Sequence, residues 1–216
     1  MTNKSLIFVA EWSQIFKNAV MVRERDRERS EEKLISTIGE LIEEVGFEGL
    51  GINQVAKRAG FSKNLIYRYF ESLDGLIYAY MKKYDFWVNA EENQPDVSDI
   101  KNYLKSFYRR EIAEFRGSTA LKKLRRWELS TDKEFVVEIR KQREKNGVQF
   151  MDMMSQFAKV DKKQVQAISA LIDAGIVYLA MFEDNCQMYN GIDIQSNEGW
   201  TQIVEGIDLL IDVMIK

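Results

Sequence analysis

The chain has 216 residues, 45% of them hydrophobic and 30% charged, with a formal net charge of −3. That balance fits a folded protein of one large or two small domains and excludes a basic surface spread over the whole molecule. There are 0 histidines and 1 cysteine, Cys186, so Ser-His and Cys-His nucleophile pairs, histidine metal sites, intrachain disulfides and cysteine clusters are excluded. The reading calls for no catalytic residue, no metal and no cofactor, and the single thiol fits a reducing, cytoplasmic setting.

Apolar residues recur at helical spacing and no stretch sustains a two-residue alternation, so the expected fold class is all-α. Near the N-terminus, Phe8, Trp12, Ile15, Phe16 and Ala19 share one helical face. The apolar run after Lys4 breaks at Glu11, too early for a secretory leader. Met21 is a second possible start, which would leave 1–20 outside the natural chain. Arg23, Arg25, Arg27 and Arg29 alternate with Glu24, Asp26 and Glu28, the pattern of a solvated helical face or of an arm laid on DNA. Ser30 and Lys33 form no capping box, so one helix is expected to run through them. The stripe Leu34, Ile38, Leu41, Ile42 and Val45 follows, and Gly46 ends it. A short helix is expected over 52–59, stopped by Gly60, and another from after Ser62 to Phe70. Ser72 can cap a longer helix carrying Leu76, Ile77, Tyr80, Met81 and Tyr84. Pro95 marks a turn, and Ser98 can cap a helix to about residue 116, closed by Gly117. Further helices are expected at about 118–130, 132–159, 161–189 and 198–215, with a polar loop over 191–197. The run 167–182 spans 16 residues with one charge, Asp173, short of the ~20 needed to cross a membrane, and reads as a buried helix.

Residues 49–70, GLGINQVAKRAGFSKNLIYRYF, contain Lys57, Arg58, Lys63 and Arg68 and no acid, a local +4 within a chain of −3. Two short helices about a glycine turn have helix-turn-helix geometry. Ile52, Val55 and Ala56 can face inward from the first, and Leu65, Ile66 and Phe70 from the second. Lys63, Asn64, Tyr67 and Arg68 then face outward near the start of the second helix, the part that meets base edges in such motifs. A helical hairpin with a solvated face gives the same spacing and charge, as would a helical adaptor that binds protein through this surface.

The residues themselves add a resemblance. The helix ending EEVGFEGL, followed by INQVAKRAGFSKNLIYRYFESLDGL, closely resembles the tetracycline-repressor (TetR) family of bacterial regulators, and GFSKNLIYRYF is its most specific part. The resemblance covers about the first third of the chain. It implies a cytoplasmic homodimer that binds a palindromic double-stranded operator, usually as a repressor, with a C-terminal domain for dimerisation and ligand sensing. Carried over residue by residue, Lys63 and Asn64 would approach bases, and Tyr67 and Tyr69 phosphate. Asn53 and Gln54 would sit where the preceding helix meets the backbone, and Arg68 joins them as a basic outward residue. Two positions depart from the pattern: Gly51 stands where Thr or Ser is frequent, and Leu73 where Lys is frequent, each removing a phosphate contact. The implied organisation is an N-terminal helical extension over 1–29, a three-helix DNA-binding domain over 30–76 and a helical sensing and dimerisation domain over 77–216.

In the C-terminal two-thirds, Ile203, Ile207, Leu210 and Met214 line one stripe of the last helix, while Ile168, Ile172 and Ile176 belong to a helix apolar on nearly every side. The residues leave open a central core helix or one shared with a second subunit; the resemblance favours the dimer. Methionines and aromatics are frequent in the middle helices and suit either core or an irregular pocket. A mostly apolar cavity is expected among Phe107, Trp127, Phe150, Met154, Tyr178 and Phe182, for a small hydrophobic or amphipathic effector. Glu128 lies on a face with Leu121, Leu124 and Arg125, so its carboxylate must be paired with an arginine of a neighbouring helix, solvated or held to a ligand, and Asp173 poses the same question.

Overall fold

The structure, a computed structural model, describes the backbone of residues 3–85 and 99–215 and the side chains of 24–85 and 99–215. The side chains of Phe8, Trp12, Ile15, Phe16 and Ala19, and the turn and cap anticipated at Pro95 and Ser98, lie outside the described residues. Nine helices form among the described residues, as the helical periodicity predicts, together with one two-stranded hairpin that it does not. They divide into two compact units, Met1–Leu41 with Leu50–Tyr80 and Ile42–Gly49 with Met81–Lys216.

The first unit holds most of α1 (Asn3–Val45) with α2 (Ile52–Ala59), α3 (Lys63–Phe70) and nearly all of α4 (Leu73–Tyr84). Helix α1 passes Ser30 without a break, and the Ser30 hydroxyl donates back to the Asp26 carbonyl at 2.8 Å. Its stripe Leu34, Ile38 and Leu41 is fully buried together with Val55, Ile66 and Leu76. Each such side chain contributes roughly 1.5–3 kcal/mol by leaving water. The outward run 24–29 is exposed, which fits a solvated face. Ser72 caps α4 by accepting from the Gly75 amide at 2.9 Å. Gly75 is required there, because a Cβ would fall 2.0 Å from the Phe70 carbonyl oxygen.

The second unit packs α5 (Ile100–Gly117), α6 (Thr119–Glu128), α7 (Glu134–Ala158), α8 (Lys162–Phe182) and α9 (Asn197–Met214). Helix α5 lies against α7, α8 and α9, and α8 against α6 and α7. The core between them includes Phe107, Tyr108, Ile112, Met154, Ile172, Ile176 and Ile211. Asp99 caps α5, accepting from the Asn102 amide at 3.1 Å. The helix read over 161–189 is shorter than expected, since α8 stops at Phe182. Strands β1 (Met188–Tyr189) and β2 (Ile192–Asp193) follow, paired antiparallel. Asn190 and Gly191 turn the hairpin at φ 49° and 82°, the two positive values a tight hairpin turn needs. Just before it, the buried Glu183 receives hydrogen bonds from Lys122 Nζ at 2.7 Å, Arg116 Nε at 2.9 Å and Trp200 Nε1 at 2.9 Å. The hairpin's entry is thus fastened to α5, α6 and α9.

Candidate nucleic-acid interface and candidate ligand cavity

The interface begins with a turn. Gly60, at φ 77°, ends α2 with its amide on the Ala56 carbonyl at 3.1 Å, and the Phe61 amide shares that carbonyl at 3.0 Å. This left-handed cap redirects the chain within two residues, so α3 starts almost at once. Ser62 occupies the N-cap in an extended conformation, yet its hydroxyl makes no cap hydrogen bond among the described residues, contrary to expectation. Ile66 is fully buried, and Leu65 and Phe70 are half-buried. With that face committed inward, Lys63, Asn64, Tyr67 and Arg68 are exposed on α3, and Asn53 is exposed on α2. Gln54 is half-buried at the same end of α2.

These groups match the chemistry of duplex DNA. A lysine ammonium and a tyrosine hydroxyl donate to phosphate or to guanine O6 and N7, and an asparagine amide can pair both edge atoms of adenine. Tyr69 is placed differently from Tyr67. Its ring lies under the guanidinium groups of Arg27 and Arg68, 5.2 and 4.9 Å from the centroid, and its hydroxyl accepts from Arg68 Nη2 at 3.1 Å. Arg27 is itself held by Glu31 at 2.6 Å. Tyr69 and Arg68 therefore belong to the seam between α1 and α3, and Lys63, Asn64 and Tyr67 form the freer surface.

In the second unit the six residues read as one cavity fall into separate places. Phe107 stacks on Phe150 at 5.2 Å in the core near Met154. Trp127 stacks on Phe47 at 4.4 Å and tilts against Phe135 at 6.1 Å. Tyr178 and Phe182 stack at 5.3 Å and both meet the hairpin ring of Tyr189. Aromatic rings on four helices satisfy one another locally, so their abundance does not imply a shared void.

A cavity of about 520 Å³ lies elsewhere, with Leu129, Ala174, Val177 and Met181 as apolar wall and both singled-out acids, Glu128 and Asp173, in its lining. Glu128 is paired as its helical face suggested. Arg143 Nη1 and Nη2 donate to its two carboxylate oxygens at 2.8 Å each, and Arg125 Nη1 donates at 3.0 Å. Arg143 Nε also donates to Asp85 at 2.6 Å. Burial pushes the Glu128 carboxyl up, but the Arg143 hydrogen bonds and the charges of Arg125 and Arg143 outweigh it, and its pKa ends below the ordinary value. Arg143 loses by burial and gains more from Glu128 and Asp85, so it is held charged. Asp173 is the contrast: its Oδ1 is buried with no hydrogen-bond partner among the described residues, and burial pushes its pKa up to about 7. Asp85 and Arg143 carry no sequence signal, because KKYDFW and KQREKN read as solvated charge.

The apolar stripe anticipated for dimerisation divides in two. Ile172, Ile176 and Ile207 are in the unit's own core, and Ile168, Ile203 and Met214 are partly buried against it. Leu210 is half-exposed, and the most exposed apolar residues of these two helices are Leu171 on α8, at 75%, and Leu209 and Val213 on α9, at 64% and 68%. The broad stripes on α8 and α9 contain one edge for the core and another left outside, which spacing alone did not separate.

Two short helices about a glycine turn, with a basic, exposed face on the second, have the geometry of a helix-turn-helix. Residues 34–80 match the family model described as bacterial regulatory proteins, tetR family. The chain thus carries a TetR-family domain over residues 34–80. No curated protein matches it. Among solved structures, a TetR transcription regulator from Haloarcula marismortui superposes with a TM-score of 0.68 at 14% identity, covering 88% of this chain and 100% of that one. The transcriptional regulator FadR from Bacillus subtilis, in complex with stearoyl-CoA, gives 0.61 at 18%, covering 83% and 96%. A putative TetR-family regulator from Vibrio parahaemolyticus gives 0.59 at 19%, covering 87% and 99%. At these identities the likeness is one of fold.

Proposed function

We propose that the protein is a cytoplasmic homodimeric repressor that reads a palindromic operator with α3 and is released by a small effector bound in its second unit. One observation carries the DNA reading: the inward face of α3 is buried while Lys63, Asn64 and Tyr67 at its N-terminal half stay exposed, within a window of +4. One recognition helix reads only a few base pairs, and a two-fold dimer doubles the site at one-turn spacing. Leu171, Leu209, Leu210 and Val213 supply the apolar surface that a second copy would cover. The FadR structure holds stearoyl-CoA, and a ligand role for the second unit of this chain accords with that. An effector acts as a switch only by its different affinity for the two conformations, typically worth about 1–3 kcal/mol or roughly 5–150-fold in DNA affinity.

The test is a salt titration of DNA binding. About four phosphate-facing groups per subunit give a dimer about eight contacts, hence a slope of log affinity against log salt near −7. Tyr67→Ala should weaken binding to all sequences, while Lys63→Ala and Asn64→Ala should change the preferred base pairs. Salt-insensitive binding, altered equally by the three variants, refutes the assignment.

A further inference from the structure

The cavity of the second unit is lined by three acids and three arginines, and they are not equally satisfied. Of its charged lining, Arg125, Arg143 and Glu128 are committed to one another and to Asp85, two acids against two bases. Arg140 donates from Nη2 to the carbonyls of Glu128 and Thr131. Arg140 keeps a charge that those carbonyls do not cancel, but it is exposed; Asp173 on α8 faces the cavity with its Oδ1 buried and without a hydrogen-bond partner among the described residues. The wall beside Asp173 on its own helix is apolar, through Ala174, Val177 and Met181.

We propose that this cavity binds a small organic cation, a protonated amine on an apolar body, with Asp173 as its counter-ion. This rests on the reading of the second unit as the effector domain. A buried carboxylate oxygen without a hydrogen-bond partner is costly in the free protein, and an ammonium group would remove that cost by supplying both charge and donors. An anionic ligand is disfavoured, because it would set a second negative charge beside Asp173 while Arg125 and Arg143 are already engaged with Glu128 and Asp85 and Arg140 is exposed. The volume lies within the range of ligand pockets, and the combination of apolar wall and one aimed polar group is what fixes orientation in such sites. The arginine network on the cavity wall also holds Asp85, the residue after α4.

Binding of a cation should also be linked to protons. Asp173 is surrounded by Tyr108 and Glu111 on α5, Arg125 and Glu128 on α6, and Arg140 and Arg143 on α7. Asp173 is raised toward neutrality by burial, and Tyr108 is itself pushed up, first by burial and then by the Asp173 charge. An amine stays charged through this range, so its affinity should follow ionisation of Asp173.

The experiment uses the full chain and three matched probes, 4-phenylbutylamine, 4-phenylbutanol and 4-phenylbutyrate, followed by calorimetry from about pH 5.5 to about pH 8. The expected result is that the amine binds at least about tenfold more tightly than the alcohol, that butyrate is weakest, and that amine affinity rises with pH while alcohol affinity does not. Asp173→Asn, close to isosteric, should remove the amine's advantage and its pH dependence; Val177→Phe, which fills the cavity and keeps the acid, should weaken amine and alcohol alike. Equal binding of the three probes, no amine binding, or an Asp173→Asn protein that binds amine as wild type does overturns the proposal. DNA binding measured on the same samples judges the regulator reading separately: a protein that takes the amine but never retains DNA keeps the cation site and loses the regulator.

Discussion

Replacing Arg143 by methionine tests whether the buried charge network supports the second unit. The guanidinium makes two hydrogen bonds of 2.8 Å to Glu128 and one of 2.6 Å to Asp85. The carboxylates it serves are 6% and 2% exposed. Methionine keeps the stem's volume and removes the charge, leaving both acids to Arg125, which sits 3.0 Å from Glu128 and 4.0 Å from Asp85. Breaking one side of a buried pair costs about 3–5 kcal/mol, and at about 2–4 °C per kcal/mol for a chain of this size the melting temperature should fall by roughly 6–20 °C. The pH dependence has a definite sign. Glu128 is depressed in the fold below its ordinary 4.5, so its contribution is present above that value and is lost as pH falls through the folded pKa. The gap between wild type and Arg143→Met should therefore be full at neutral pH and narrow below about pH 4.5. Differential scanning calorimetry at neutral and acid pH gives both numbers. A loss below ~1 kcal/mol at neutral pH, or one that is unchanged in acid, refutes the electrostatic account and leaves only packing.

Asp173→Asn should stabilise the free protein at pH 8 by up to ~4 kcal/mol, at ~1.4 kcal/mol per pH unit between the ordinary 3.8 and about 7, and by little near pH 4. The sign follows because an acid raised by burial destabilises the fold progressively as pH climbs through that window; thermal melts that show no gain at pH 8 would count against it. Leu209→Arg with Val213→Arg should give a folded monomer in sedimentation, since both side chains are exposed, whereas Ile207→Arg should unfold the unit. A double variant that stays dimeric places the interface elsewhere. Gly75→Ala drives a methyl to 2.0 Å from the Phe70 carbonyl, so the start of α4 must shift; loss of helical signal or of melting temperature in the first unit checks this.

Much of this architecture was legible because helical chains advertise themselves by period. Leu34, Ile38 and Leu41 read as a stripe and are buried as one, and Gly46 and Gly60 read as stops and adopt the left-handed φ that stops require. The hairpin was missed although Asn190-Gly191 is a strong hairpin signal, because the flanking strands are two residues each and show no alternation to accompany it. The recognition face was legible for the reason that α3 is short: with Ile66 inward, Lys63, Asn64 and Tyr67 have nowhere else to point. Tyr69 was harder to assign, since its engagement by Arg27 depends on where α1 passes. The ligand site was the least legible. Composition showed many aromatics but not that Trp127 would find Phe47, or Tyr178 the ring of Tyr189, and a paired acid and an orphaned one look alike in a string of letters.

The central claim is that α3 reads DNA as part of a symmetric pair. Selection of bound duplexes from a random library by the purified protein tests it most directly, repeated with Lys63→Ala and Asn64→Ala. The account predicts enrichment of an inverted repeat with half-sites about one helical turn apart, and a change confined to one or two base pairs per half-site in each variant. Enrichment of no sequence, or of one that both variants select unchanged, would contradict it.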